Sequence, residues 1–220
     1  MKKDGKIKHH LSQDILMKYS SGTLCEAFSL AVATHISMCD DCRAALESFE
    51  AVGGALLDVS TPEEMSVDSF ESVMALIESE PAEITQPVSQ PKSDVPSALS
   101  DYIGGSLHDV KWRPIGLGVK QSLLKTSGNS TARLLYIPAG TAVPHHSHNG
   151  NELTLVLKGA FEDEISRFGP GDVEITPPPG TEVIQLEQAP SGHLVMAISE
   201  YCAYEEFVNN HLNEEPMQEE

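Results

Sequence analysis

Glu80-Pro-Ala-Glu-Ile-Thr-Gln-Pro-Val-Ser-Gln-Pro-Lys-Ser-Asp-Val-Pro-Ser97 divides the chain. Its four prolines each fix φ and withdraw a backbone N–H, and large apolar groups are few, so the segment reads as an extended linker. Patterning differs on its two sides. Residues 11–79 carry helical periodicity and almost no strand signals, whereas from about Ala98 short β-prone runs bounded by Pro or Gly take over. The expected architecture is therefore multidomain α plus β. Residues 1–79 form a helical domain of about four helices, 80–97 the linker, 98–205 an all-β barrel or sandwich, and 206–220 an acidic tail. Few contacts are expected to cross the linker.

The helical half reads in four pieces. Ser12 is an N-cap candidate for a first helix that stops at Ser20-Ser21-Gly22. A second helix from about Leu24 to Met38 places Cys25, Phe28, Val32 and Ile36 on one face. A third, from about Asp40 to Leu57, begins with two acids that favour its dipole and is weakened late by Gly53-Gly54. A fourth, about Ser66 to Ser79, sets Phe70, Val73, Met74 and Ile77 at i, i+3, i+4, i+7. That stripe suits the domain's own core. Beyond the linker, Leu134–Ile137, Leu153–Leu157 and His193–Ile198 read as strands, and Gly169–Asp172 and Pro177–Gly180 as turns.

The chain of 220 residues carries a formal net charge of −19 and a pI near 4.7. Such a balance argues against a nucleic-acid-binding surface and against docking on an anionic membrane. No apolar run reaches the ~18 residues a spanning helix needs. The basic start Met1-Lys2-Lys3-Asp4-Gly5-Lys6 is followed by no apolar signal core, so the expected location is the cytoplasm. Four cysteines in a chain of this length do not make a disulfide scaffold, and metal or redox chemistry is the better reading.

That chemistry concentrates in His35-Ile-Ser-Met-Cys39-Asp-Asp-Cys42. His35 and Cys39 share a helix face at i, i+4, and Cys39-x-x-Cys42 is a chelating spacing. Thiolates plus imidazole favour Zn²⁺ in a tetrahedral site. A structural site wants a fourth ligand, and either His9 or His10 supplies one. A redox pair or two inert buried thiols are the competing readings; the βαβ pattern of thioredoxin-like motifs is missing. Cys25 and Cys202 read as core residues.

The leading histidine with H-x-x-x-C-x-x-C resembles the zinc-containing anti-sigma factors. The longer stretch Glu26-Ala27-Phe28-Ser29-Leu30 … His35 … Cys39-Asp40-Asp41-Cys42-Arg43, joined to a β-domain, is similar to the ChrR family. In that family a zinc-binding helical domain precedes a cupin barrel. The resemblance implies zinc on His10, His35, Cys39 and Cys42. It implies an extracytoplasmic-function sigma factor as partner, contacted in part by the fourth helix, so that the Phe70, Val73, Met74 and Ile77 stripe suits that contact as well as the domain's own core, with release under photo-oxidative stress, notably singlet oxygen. The acidic chain suits steered association with basic surfaces that grip DNA and polymerase.

In the β half, Gly140, His146, His148, Glu152 and Gly159 match the first cupin motif, G-x5-H-x-H-x3-E-x6-G, at every fixed position. Two imidazoles two apart on a strand face one way, and a carboxylate after a Gly-containing turn reaches the same point. That set suits a divalent metal, Zn²⁺, Fe²⁺ or Mn²⁺. His145 points away on this register. The second motif departs from the pattern: Val183 stands where a histidine is expected, and Glu182, beside it, is the candidate fourth ligand, with His193 another donor. Glu162 and Glu164 share a strand face and read as a solvated edge. The barrel is expected to sense an oxidant or small molecule. The alternative is a metal-dependent cupin enzyme, such as a dioxygenase, with an accessory zinc domain.

Overall fold

A computed structural model of the chain describes residues 6–79, 94–128, 130–141, 151–162, 166–176 and 193–199. Helix α1 (Gln13–Ser20) starts where the Ser12 side chain accepts the Ile15 N–H at 3.3 Å, and an Asp14–Lys18 ion pair of 2.9 Å spans its exposed turn. Helix α2 (Glu26–Met38) is buried on nearly every side, through Ala27, Phe28, Leu30, Ala31, Val32, Thr34 and His35. A helix apolar all round needs two partners. Helices α1 and α3 (Asp40–Asp58) pack on it from one side. Cys25 is its N-cap residue, half-buried against the core, with the thiol donating to Ser130 Oγ at 3.2 Å.

The chain does not pass straight from linker to strands. Helix α5 (Ser97–Ile103) comes first, with Leu99 and Ile103 buried and Gly104 ending it at φ +86°. Pro96 stands at its N-cap, where a missing N–H costs nothing, and the helix packs on α2. Val95, inside the stretch read as linker, is buried as well.

The strands follow: β1 (Arg113–Gly116), β2 (Val119–Leu124), β3 (Thr131–Ile137), β4 (Glu152–Lys158), β5 (Phe161–Glu162), β6 (Arg167–Phe168), β7 (Val173–Thr176) and β8 (His193–Ser199). Six form an antiparallel sheet in the order β1-β2-β3-β8-β4-β7, and β5 pairs with β6. Alternation assigns the two faces. Leu124, Ala132, Leu134, Leu153, Leu155, Met196 and Ile198 share one apolar cluster with Leu16, Phe28, Val32 and Leu46 of the helices. Ile137, Val156 and Val195 point the other way and meet Phe161 and Phe168 of the small sheet, which makes the barrel interior.

The sheet is thus the second partner of α2, which lies against β3, β4 and β8. This corrects the expectation that few contacts cross between the halves: one continuous core runs through both. The fourth helix, α4 (Ser69–Ser79), behaves differently. None of its residues is buried, Phe70 being 72% and Ile77 63% exposed, so its stripe is not part of the helical core.

Candidate metal centre

Three short pieces of chain supply the centre. His10 lies just before α1, His35 in the last turn of α2, and Cys42 in the first turn of α3. Cys39 is both the C-cap of α2 and the N-cap of α3, and its sulfur accepts the Cys42 N–H at 3.5 Å. The ligating atoms of all four residues lie within 4.8 Å of one another, and three of the four side chains are buried.

The separations fit zinc. Cys39 Sγ and Cys42 Sγ stand 3.3 and 3.6 Å from His10 Nδ1. Bonds of about 2.3 Å to sulfur and 2.0 Å to nitrogen at tetrahedral angles give an edge of about 3.5 Å. His35 is fully buried, and its Nδ1 lies 2.9 Å from the Gly171 carbonyl, which only accepts. Nδ1 therefore carries the hydrogen, and the buried Nε2, with no partner among the described residues, is left for a metal. Burial pushes His35 below the ordinary histidine value, against that carbonyl, which favours the neutral ring that a ligand must present. Burial pushes the Cys42 thiol up to about 11, against a backbone hydrogen bond to Leu11, and the neighbouring Cys39 adds to the rise. A divalent cation held by these four residues would supply the charge that offsets this cost.

Of the two adjacent histidines, His10 joins the cluster. His9 turns to the barrel, where its Nε2 lies 2.8 Å from Ser166 Oγ and its ring is 4.3 Å from that of Phe168. The turn between β6 and β7 reaches both sides of the centre, through Gly171 to His35 and through Asp172 to the segment carrying His9. Gly169-Pro-Gly-Asp172 is legible in the sequence as a turn, but nothing in its spacing marks it as part of the metal centre.

In the barrel, Glu152 opens β4, paired with Ser199 of β8 and Thr176 of β7. His146, His148 and Glu182 lie outside the described residues. His193 is buried at the opposite end of β8 from Ser199, about 20 Å along the strand at ~3.3 Å per residue. That distance removes it as a fourth ligand beside Glu152. Burial pushes it below the ordinary histidine value. Glu162 is exposed at the edge formed by β5.

The family profile of the ChrR cupin-like domain matches residues 101–197. The anti-sigma-E factor ChrR of Cereibacter sphaeroides is 51% identical over 171 residues, covering 77% of this chain and 79% of that one. The crystal structure of Rhodobacter sphaeroides SigE in complex with the anti-sigma ChrR matches with a TM-score of 0.76 at 45% identity, over 88% of this chain and 99% of that one. KdgF from Halomonas sp. aligns at 20% identity and a TM-score of 0.36 over 43% of this chain and 89% of its own, too little to carry an argument. Identity of this extent across both halves places the chain in the ChrR family of anti-sigma factors.

Proposed function

We propose that the chain sequesters an extracytoplasmic-function sigma factor in the cytoplasm, using a helical half fixed by zinc. Release follows photo-oxidative stress sensed through the barrel. The observation that carries the reading is the uncovered apolar surface of α4 and the end of α3. Phe70, Val73, Leu76 and Ile77 on α4 and Val52, Leu56 and Leu57 on α3 are all more than half exposed. A soluble chain with that much apolar surface on two helices presents it to a partner. The ChrR relative was solved bound to SigE. The charge of −19 adds long-range attraction to a basic partner.

Zinc at His10, His35, Cys39 and Cys42 supplies no chemistry of its own in this reading. It pins the start of α1 to the α2–α3 junction, which orients the helices that carry the apolar surface. In the barrel, His146, His148, Glu152 and Glu182 offer two imidazoles and two carboxylates, a donor set suited to Zn²⁺, Fe²⁺ or Mn²⁺. A metal there would be the point at which singlet oxygen or a product of it acts. The enzyme alternative draws on the first cupin motif alone, whereas the relative that shares most of this chain is a regulator.

The test is co-expression with a sigma factor of that class, followed by size-exclusion chromatography. Wild-type chain elutes as a stoichiometric complex. Phe70→Asp with Ile77→Asp abolishes the complex while leaving zinc content and circular dichroism unchanged. A complex that survives the double change overturns the assignment of α4 as a contact surface.

A further inference from the structure

The four candidate ligands are not held by the helices alone. His35 donates through Nδ1 to the carbonyl of Gly171, 2.9 Å away in the β6–β7 turn. The segment that ends in His10 is held by the same turn: the N–H groups of Lys8 and His9 donate to Asp172 Oδ1 at 2.6 and 2.9 Å, and the Val173 N–H donates to the His9 carbonyl at 3.1 Å. The second oxygen of Asp172 accepts the Gly169 N–H at 2.8 Å, so one carboxylate joins the turn to the ligand segment. The approach is close. Gly171 sits at φ +89°, and a Cβ there would lie 2.5 Å from the Ile7 side chain.

We propose that this turn of the barrel is an outer part of the zinc centre. Through the Gly171 carbonyl and the Asp172 carboxylate it positions His35 and His10, so that zinc retention by the helical half depends on the barrel. The inference rests on the zinc reading of the four-residue cluster. Its physical basis is orientation. A histidine whose free N–H is fixed presents its other nitrogen correctly, and losing such a support costs a metal site about 10–100-fold in affinity. For His10 the support is the backbone before it, since Lys8, His9 and Val173 form a three-bond clamp one residue from the ligand. Movement of the turn loosens two of four ligands together, which gives an event in the barrel a direct route to the helices. Gly171 and Asp172 are positioning residues, with no bond to the metal.

The experiment uses the full-length, zinc-loaded chain and measures the rate of zinc transfer to an excess of a colorimetric chelator. Lys8→Pro deletes one of the two N–H groups that meet Asp172 and leaves the turn's own hydrogen bonds intact; Lys8→Ala keeps it. Asp172→Ala removes the acceptor; Asp172→Asn keeps an amide oxygen in its place. Lys8→Pro and Asp172→Ala are expected to release zinc about 10–100 times faster than wild type. Lys8→Ala keeps the wild-type rate, Asp172→Asn recovers most of it, and Lys8→Pro with Asp172→Ala is no faster than the faster single change. Release from Lys8→Pro at the wild-type rate overturns the proposal, because an effect of Asp172→Ala then belongs to the turn by itself. Additive acceleration in the double variant overturns it too, and this comparison stands even where one single variant folds poorly. The zinc reading fails separately, if wild-type chain carries no zinc that Cys39→Ser removes.

Discussion

Cys39 caps two helices and stands in the candidate metal cluster, which makes it the residue with most to lose. Zinc binding by small domains of this kind is worth about 10–16 kcal/mol near neutral pH. Cys39→Ser is therefore expected to remove zinc and to unfold the helices around it, read by metal analysis and far-ultraviolet circular dichroism. Zinc affinity is expected to fall as pH falls, because the Cys42 thiol, pushed up to about 11 by burial, would have to lose its proton to bind. Competition with a chelator across pH 6–8 measures that slope. Glu26, at the start of α2, accepts hydrogen bonds from Ser127 N–H at 2.6 Å and Tyr102 Oη at 2.7 Å. Ser127 first and Tyr102 next lower its carboxyl from 4.5 to about 2. A depressed folded value means its contribution is complete above about 4.5 and is lost as pH drops toward about 2. The melting temperature of Glu26→Ala should thus trail wild type at pH 6 and converge on it in acid. The metal spacing of His35, Cys39 and Cys42 was legible in the sequence because a helix turn and a C-x-x-C fix it locally. The choice of His10 over His9 by spacing alone was not, because the barrel, more than 150 residues away, decides which ring turns inward.

At the scale of elements, α2 explains both what the sequence disclosed and what it concealed. Its length and apolar positions were readable, and the helix runs close to the expected limits. Reading one apolar face from Phe28, Val32 and Ile36 passed over Ala27, Leu30, Ala31 and Thr34, which fill the remaining faces. A helix with apolar residues on all sides needs cover on all sides, and that composition was the available sign of the sheet behind it. Ala31 is fully buried, so Ala31→Leu forces a larger side chain into closed packing. An expected loss of about 1–3 kcal/mol in urea unfolding checks this. Helix α5 escaped notice because Val-Pro-Ser before it continues the proline-rich composition, and seven residues give too short a period to register. The apolar stripe of α4 was legible as a stripe, but periodicity does not say whether protein or solvent lies opposite.

For the whole molecule, the shared core predicts joint unfolding. Trp112, the single tryptophan, packs at the edge of the cluster that contains Leu16 and Leu46 from the helices and Leu153 from the sheet. Its fluorescence and the helical dichroism at 222 nm are expected to change at the same denaturant concentration, the mark of one cooperative unit. Separate midpoints would restore two independent bodies joined by a linker. The sequence-based division at residues 80–97 follows composition, and composition records chain stiffness rather than what two apolar faces do when they meet. The bare surface of α3 and α4 has a consequence for the economy of the cell. A helix without a buried residue opens easily, and side chains such as Phe70 and Leu76 are what proteases and holdase chaperones grip. An unaccompanied chain is thus expected to be degraded faster than a bound one. Pulse-chase labelling should find its half-life shortened when the companion protein is deleted. Regulator and regulated would then be kept near parity by turnover, without matching rates of synthesis.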